Sequence, residues 1–206
     1  MKNTTLALFV VLTSVAAPLF AQKFYRNYGE PILTDTLSTL FIPVQLSDDL
    51  LAANKLSSWE YYANIIVYNF QTDTYKTLFD KDTFIQRIVE RTDSRNAEAK
   101  VPSKWIFLLV KNSDTNKNGR IDEKDATILF AVSSDGSVLR KLTEETENVI
   151  GYTSYLKQGF ILIKMQLDSD HDNSFRENDK EFYLRKVNIT DLAVGNKIEI
   201  RPTQPR

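Results

Sequence analysis

Apolar residues in this chain fall in short runs rich in Ile, Val, Phe and Tyr, each bounded by polar turns. That spacing predicts strands rather than long helices. The clearest runs are Leu40 to Leu46, Ala63 to Phe70, Trp105 to Lys111, Ala126 to Ser133, Val149 to Tyr155, Phe160 to Leu167 and Glu181 to Ile189. Laid over one another they repeat. Strand Trp105 to Val110, an acidic loop, strand Ala126 to Val132, the turn Ser134-Asp135-Gly136 and strand Ser137 to Leu142 form one unit. Strand Phe160 to Met165, a second acidic loop, strand Glu181 to Val187, a turn at Thr190-Asp191 and strand Lys197 to Ile200 form the next, about 55 residues on. An earlier copy runs from Thr39 to Phe79 and carries Asp48 to Leu56 in place of the acidic loop; apolar spacing after two aspartates predicts a short helix there.

The acidic loops carry the chemistry. The first, Asp114 to Asp125, places Asp114, Asn116 and Asn118 at positions 1, 3 and 5, Arg120 with its backbone carbonyl at 7, Asp122 at 9 and Asp125 at 12. The second, Asp168 to Asp179, places Asp168, Asp170 and Asp172 at 1, 3 and 5, the Ser174 carbonyl at 7 and Asp179 at 12. Ca²⁺ is a hard cation that takes about six to eight oxygens, and this spacing lets one loop wrap one ion. Gly119 stands at position 6, where the chain must turn with a positive φ. Asn173 stands there in the second loop, and asparagine tolerates that region best among side chains. Position 9 of the second loop is Arg176, which cannot coordinate, so water must fill that place. Ile121 and Phe175 at position 8 are apolar anchors to the core. Acidic turns joining two strands draw on the same residue types, so turn chemistry is the competing explanation.

Both loops resemble EF-hand calcium loops, in the dockerin-type variant that closes on aspartate where the stricter pattern has glutamate. The resemblance implies two Ca²⁺ sites. Aspartate is one methylene shorter, so the expected affinity is that of extracellular modules, about 10⁻⁴–10⁻³ M. The flanks read as strands, not as the helix pair a calcium sensor opens. The segment Leu129 to Thr143, with its Asp135-Gly136 turn and its Leu142-Thr143 end, resembles a TolB-type β-propeller blade. The expected fold is therefore all-β, with three propeller-blade-like antiparallel repeats near 38–80, 104–143 and 149–201, each later one a strand–calcium loop–strand unit. A β-sandwich with calcium loops at one end is the alternative. Three blades do not close a propeller. Residues 23–38 joining the C-terminal strand in a fourth sheet, two chains assembling, or another stacking of the repeats would each resolve this.

Residues 1–21 read as a secretory signal peptide: Lys2, the apolar run Leu6 to Val15 and a small residue, Ala21, before Gln22. The run is too short and interrupted for a membrane anchor, and no second stretch of spanning length follows. Residues 22–206 are expected to form a single exported domain, periplasmic or secreted. The chain has no cysteine, which excludes disulfides, thiolate metal sites and lipidation at cysteine. Charged residues make up 26% with a formal net charge of −1, which argues against nucleic acid as a partner. The lone histidine, His171, sits at position 4 of the second loop, facing outward. Neither paired catalytic carboxylates nor a phosphate loop can be assigned, and Glu144 to Glu147 reads as a solvated turn. The expected function is a non-enzymatic binding or structural module with structural calcium, its partner a protein or glycan or further copies of itself. Trp59 to Tyr62 offers an aromatic contact surface. The rival function is a calcium-dependent hydrolase of an extracellular substrate.

Overall fold

In this computed structural model the described residues are 27–34, 38–45, 61–86, 104–176 and 178–199. The expected signal peptide, the expected short helix at 48–56 and Trp59 lie outside them. No helix among the described residues is long and apolar enough to cross a membrane.

The fold is all-β and antiparallel. Its strands are β1 (Ile32–Leu33), β2 (Thr39–Gln45), β3 (Tyr61–Asn69), β4 (Thr74–Thr77), β5 (Phe84–Gln86), β6 (Trp105–Lys111), β7 (Ile128–Ser133), β8 (Leu139–Lys141), β9 (Glu147–Tyr155), β10 (Phe160–Leu167), β11 (Phe182–Asn188) and β12 (Val194–Ile198). Consecutive strands pair into three meanders: β1 to β4, β5 to β8 and β9 to β12. Each repeat thus has a fourth strand ahead of its other three, β1, β5 or β9, of which the sequence run Val149 to Tyr155 predicts β9 alone. The third meander is a separate sheet, whereas the first two join, because β5 pairs with β3 at Tyr61↔Gln86 and Tyr62↔Ile85. Among the described residues, 27–34 and 38 do not build a fourth sheet with the C-terminal strand. Their β1 instead pairs with β2, while β12 pairs with β11.

Alternation along the strands decides the packing. In β6 and β7, residues Trp105, Phe107, Leu129 and Ala131 point into one apolar cluster, shared with Val149, Ile161, Ile163, Met165, Tyr183 and Val187 of the third meander. Their neighbours Leu108, Val110, Ile128, Phe130 and Val132 point into a second cluster, with Phe41, Ile65 and Val67 of the first meander. Every residue of β7 is buried for this reason, and its sequence reads as a continuous apolar run instead of an alternating one. The Ser134-Asp135-Gly136 turn leans on the first meander. Gly136 has φ +69, and a Cβ there would lie 2.4 Å from Val67, so only glycine fits.

One face of β10 is closed by Ile161, Ile163 and Met165, all at 0% exposure. On the other face Lys164 lies over the Phe182 ring and Lys186 over the Phe160 ring, at 4.6 and 4.8 Å.

Leu129 at 0% and Ile198 at 52% exposure separate core from edge. Leu129→Ala is expected to lower unfolding free energy by about 2–5 kcal/mol, and Ile198→Ala by under about 1 kcal/mol. Denaturant titration with an unchanged slope is the measurement; equal losses would contradict the assigned packing.

Candidate metal-binding loops

Each acidic loop bridges two paired strands, β6 to β7 and β10 to β11, and each turns back on itself with the same bonds. Asp114 accepts the backbone N–H of Asn118 at 3.0 Å and of Gly119 at 2.7 Å. Asp168 accepts those of Asp172 and Asn173 at 3.2 and 2.7 Å. Position 3 accepts from position 5: Asn116 from Asn118, Asp170 from Asp172, at 3.0 and 3.4 Å. Position 5 accepts from position 7: Asn118 from Arg120, Asp172 from Ser174, at 3.1 and 2.8 Å. Gly119 and Asn173 both take positive φ, 90° and 58°, as position 6 demands. Lys117 and His171 at position 4 do so as well, at 58° and 60°, a region uncommon for residues other than glycine.

The closing carboxylates are enclosed. Asp125 is 0% and Asp179 1% exposed. Asp125 accepts the N–H groups of Thr115, Asn116 and Asp122 and the Thr115 hydroxyl. Asp179 accepts those of Ser169 and Arg176. Each reaches across its loop from position 12 to positions 2 and 9, so the side chain itself sets the loop's curvature.

Asp168, Asp170 and Asp172 converge, with one oxygen from each within 4.8 Å of the others. Two donors on opposite sides of an ion, each about 2.4 Å from it, stand about 4.8 Å apart, so these three fit one divalent ion. Such a group can hold a metal ion. The Asp172 carboxylate also meets Arg176 Nη2 at 3.0 Å. In the first loop Asp122 is drawn sideways, accepting from Asn118 Nδ2 at 3.1 Å, Arg120 Nε at 3.2 Å and the Lys124 N–H at 2.9 Å. Burial pushes the Asp122 carboxyl up, but these bonds together outweigh it and hold the group below the ordinary aspartate range. Just before this loop, Asn112 Oδ1 and Ser113 Oγ are shielded from solvent without a hydrogen-bond partner, leaving unclaimed oxygens at its entry. Ile121 packs beside Val44, Ala63 and Phe84, and Phe175 is buried, so both position-8 anchors hold. His171 is exposed and lines a depression of about 270 Å³ with Glu147, Asp168 and Asn173.

Three residues that sequence reading missed support the loops from the strands. Lys111 is buried, and its Nζ donates to the backbone carbonyls of Glu123 and Asp125. Burial pulls its pKa down to about 8, against the opposing pull of Asp125, Asp122 and Glu123. Gln166, two residues before the second loop where Lys111 stands three before the first, donates through Nε2 to the carbonyls of Arg176 and Asp179, each at 2.9 Å. Asn148 on β9 sits opposite Gln166 and donates to its Oε1 at 2.8 Å. Glu147 is not part of a solvated turn. It belongs to β9 and meets Arg185 at 3.6 Å and Lys197 at 3.4 Å, because the pairing of β9 with β10 draws it into the sheet.

No protein-family model matches the chain, and no curated protein does. Among solved structures it is similar to an oligogalacturonate lyase in complex with manganese, at 9% identity and a TM-score of 0.42 over 82% of this chain and 40% of the lyase. The chain therefore spans less than half of that structure's length, and a likeness this distant carries no statement about ligand or activity.

Lys111 and Gln166 do the same mechanical work, one with a charge and one without. Lys111→Gln is expected to stay within about 1 kcal/mol of the native stability, whereas Lys111→Met, which strips both carbonyls of their donor, loses about 1–3 kcal/mol. The native lysine holds fewer protons when folded than when unfolded between pH about 8 and its ordinary value of 10.5. Its contribution to metal-free stability therefore rises with pH across that window, and Lys111→Gln abolishes the rise. Equal losses in Gln and Met would contradict the assignment.

Proposed function

We propose that this protein is an exported, calcium-stabilised all-β module that acts as a binding or structural element at the cell surface or in the periplasm. The observation that carries the reading is the repetition of one bond pattern at positions 1, 3, 5 and 12 of two loops whose side chains differ. Asn116 and Asn118 stand where Asp170 and Asp172 stand, yet the oxygens serve the same backbone partners. A turn that needed only to reverse the chain would not require three converging aspartates, which repel one another unless a cation lies between them. Hard oxygen donors favour Ca²⁺ or Mg²⁺ over softer metals, and the loop length favours Ca²⁺. The ions would replace, in a cysteine-free exported chain, the rigidity that disulfides give elsewhere. The leader-like start at residues 1–21 supports export, and the TolB-type and dockerin-type resemblances support an extracytoplasmic setting.

Calorimetric titration of the purified protein is expected to find two Ca²⁺ per chain, with Kd values of about 10⁻⁴–10⁻³ M. Calcium at a hundred times Kd raises unfolding free energy by about 2.7 kcal/mol for each independent site. Asp168→Ala with Asp170→Ala removes one ion of the two. No heat of binding, together with a melting temperature indifferent to both Ca²⁺ and EDTA, overturns the reading.

A further inference from the structure

The two loops belong to different sheets, yet they touch. Thr115 Oγ1 of the first, sharing its one proton with Asp125, lies 3.1 Å from the Asn173 carbonyl of the second. The Phe175 N–H of the second donates to the Lys124 carbonyl of the first at 2.7 Å. Beneath them runs a buried relay. The Thr127 N–H, two residues past the first loop's closing aspartate, donates to Asn148 Oδ1 at 2.8 Å. Asn148 Nδ2 donates to Gln166 Oε1, and Gln166 Nε2 donates to the carbonyl of Asp179, the second loop's closing aspartate. Asn148 and Gln166 are 8% and 6% exposed, so water does not replace a lost partner at little cost. Both amides are used at both ends, which fixes their orientation and leaves the chain of bonds one arrangement.

We propose that Asn148, which lies outside both loops, is a positioning residue they share, so that filling either loop sets the geometry of the other. The inference rests on the calcium reading above. An ion in the first loop fixes Asp125 and, with it, the Ala126-Thr127 backbone. The fixed Thr127 N–H orients Asn148, Asn148 orients Gln166, and Gln166 holds the backbone on which Asp179 closes the second loop. Coupling of this kind is reciprocal for binding.

The test uses calorimetric Ca²⁺ titration in two backgrounds. In the native background, disabling the second loop with Asp168→Asn and Asp170→Asn is expected to weaken the first loop's Kd by about 5-fold or more. With Asn148→Ala, or Asn148→Ser should the alanine variant fail to fold, that factor shrinks by at least about 3-fold. A first-loop Kd indifferent to the second loop, or the same factor in both backgrounds, overturns the proposal. Amide exchange on the metal-free protein reads the relay without calcium. Asn148→Ala is expected to speed exchange at Phe175 and Arg176, which make no hydrogen bond to Asn148, by about 10-fold, equivalent to a tenfold shift in a local opening equilibrium. Faster exchange confined to Thr127 overturns the relay. Should the native protein take up no calcium, the calcium reading fails, and the exchange result alone decides whether the loops are coupled.

Discussion

A carboxylate shut away from water has to find its compensation within the protein. Asp125 and Asp179 are two such groups, and the architecture around them follows from how they are satisfied. Each gathers backbone N–H groups from both ends of its own loop, so the loop closes around the charge. Each also has its main-chain carbonyl clamped from the neighbouring strand, by Lys111 in one case and by Gln166 in the other. The charge, the curvature of the loop and the placement of the forward oxygens are therefore one structural problem with one solution, used twice.

The two solutions differ in a way that bears on metal binding. The first loop keeps a lysine beside its buried aspartate and replaces two of the forward aspartates by asparagine. It already holds a positive charge and has less negative charge to neutralise. The second loop has a neutral glutamine in the lysine's role, three forward aspartates and only Arg176 at its rim. Its demand for a cation is the greater of the two. Because the loops stand at the seam between the second and third meanders, charge balance there also bears on how those meanders stay together. The apolar cluster holding Phe107, Leu129, Ile161 and Met165 supplies the bulk of that attachment, and the loops supply its polar end.

Much of this was legible in sequence. Trp105 to Lys111 and Phe160 to Leu167 coincide with β6 and β10, because runs with buried residues on one or both faces and polar residues at each end admit few other readings. The turn glycine at 136 and the loop residues at positions 1, 3, 5, 6 and 12 were legible because each demands a particular backbone or donor. The strands β1 and β5 were not. At two and three residues they carry too little periodicity to register, and pairing with β2, β3 and β6 is what makes them strands. That pairing also merged two expected repeats into one sheet. Asn148, Gln166 and Lys111 were invisible for a related reason: a polar residue in a strand reads as solvent-facing until the partner that satisfies it is known. Glu147 was read as solvated on the same logic, before its cations on β11 and β12 were in view.

The central claim is that two like-bonded loops at one seam each hold a divalent ion. A crystal structure of the protein grown with Ca²⁺, with anomalous scattering recorded at long wavelength, tests it most directly. The account predicts one anomalous peak in each loop, ringed by oxygens of residues 114, 116, 118 and 125 in one and 168, 170, 172 and 179 in the other, at about 2.4 Å. Loops left empty at millimolar Ca²⁺, with Arg176 still on Asp172, would contradict it.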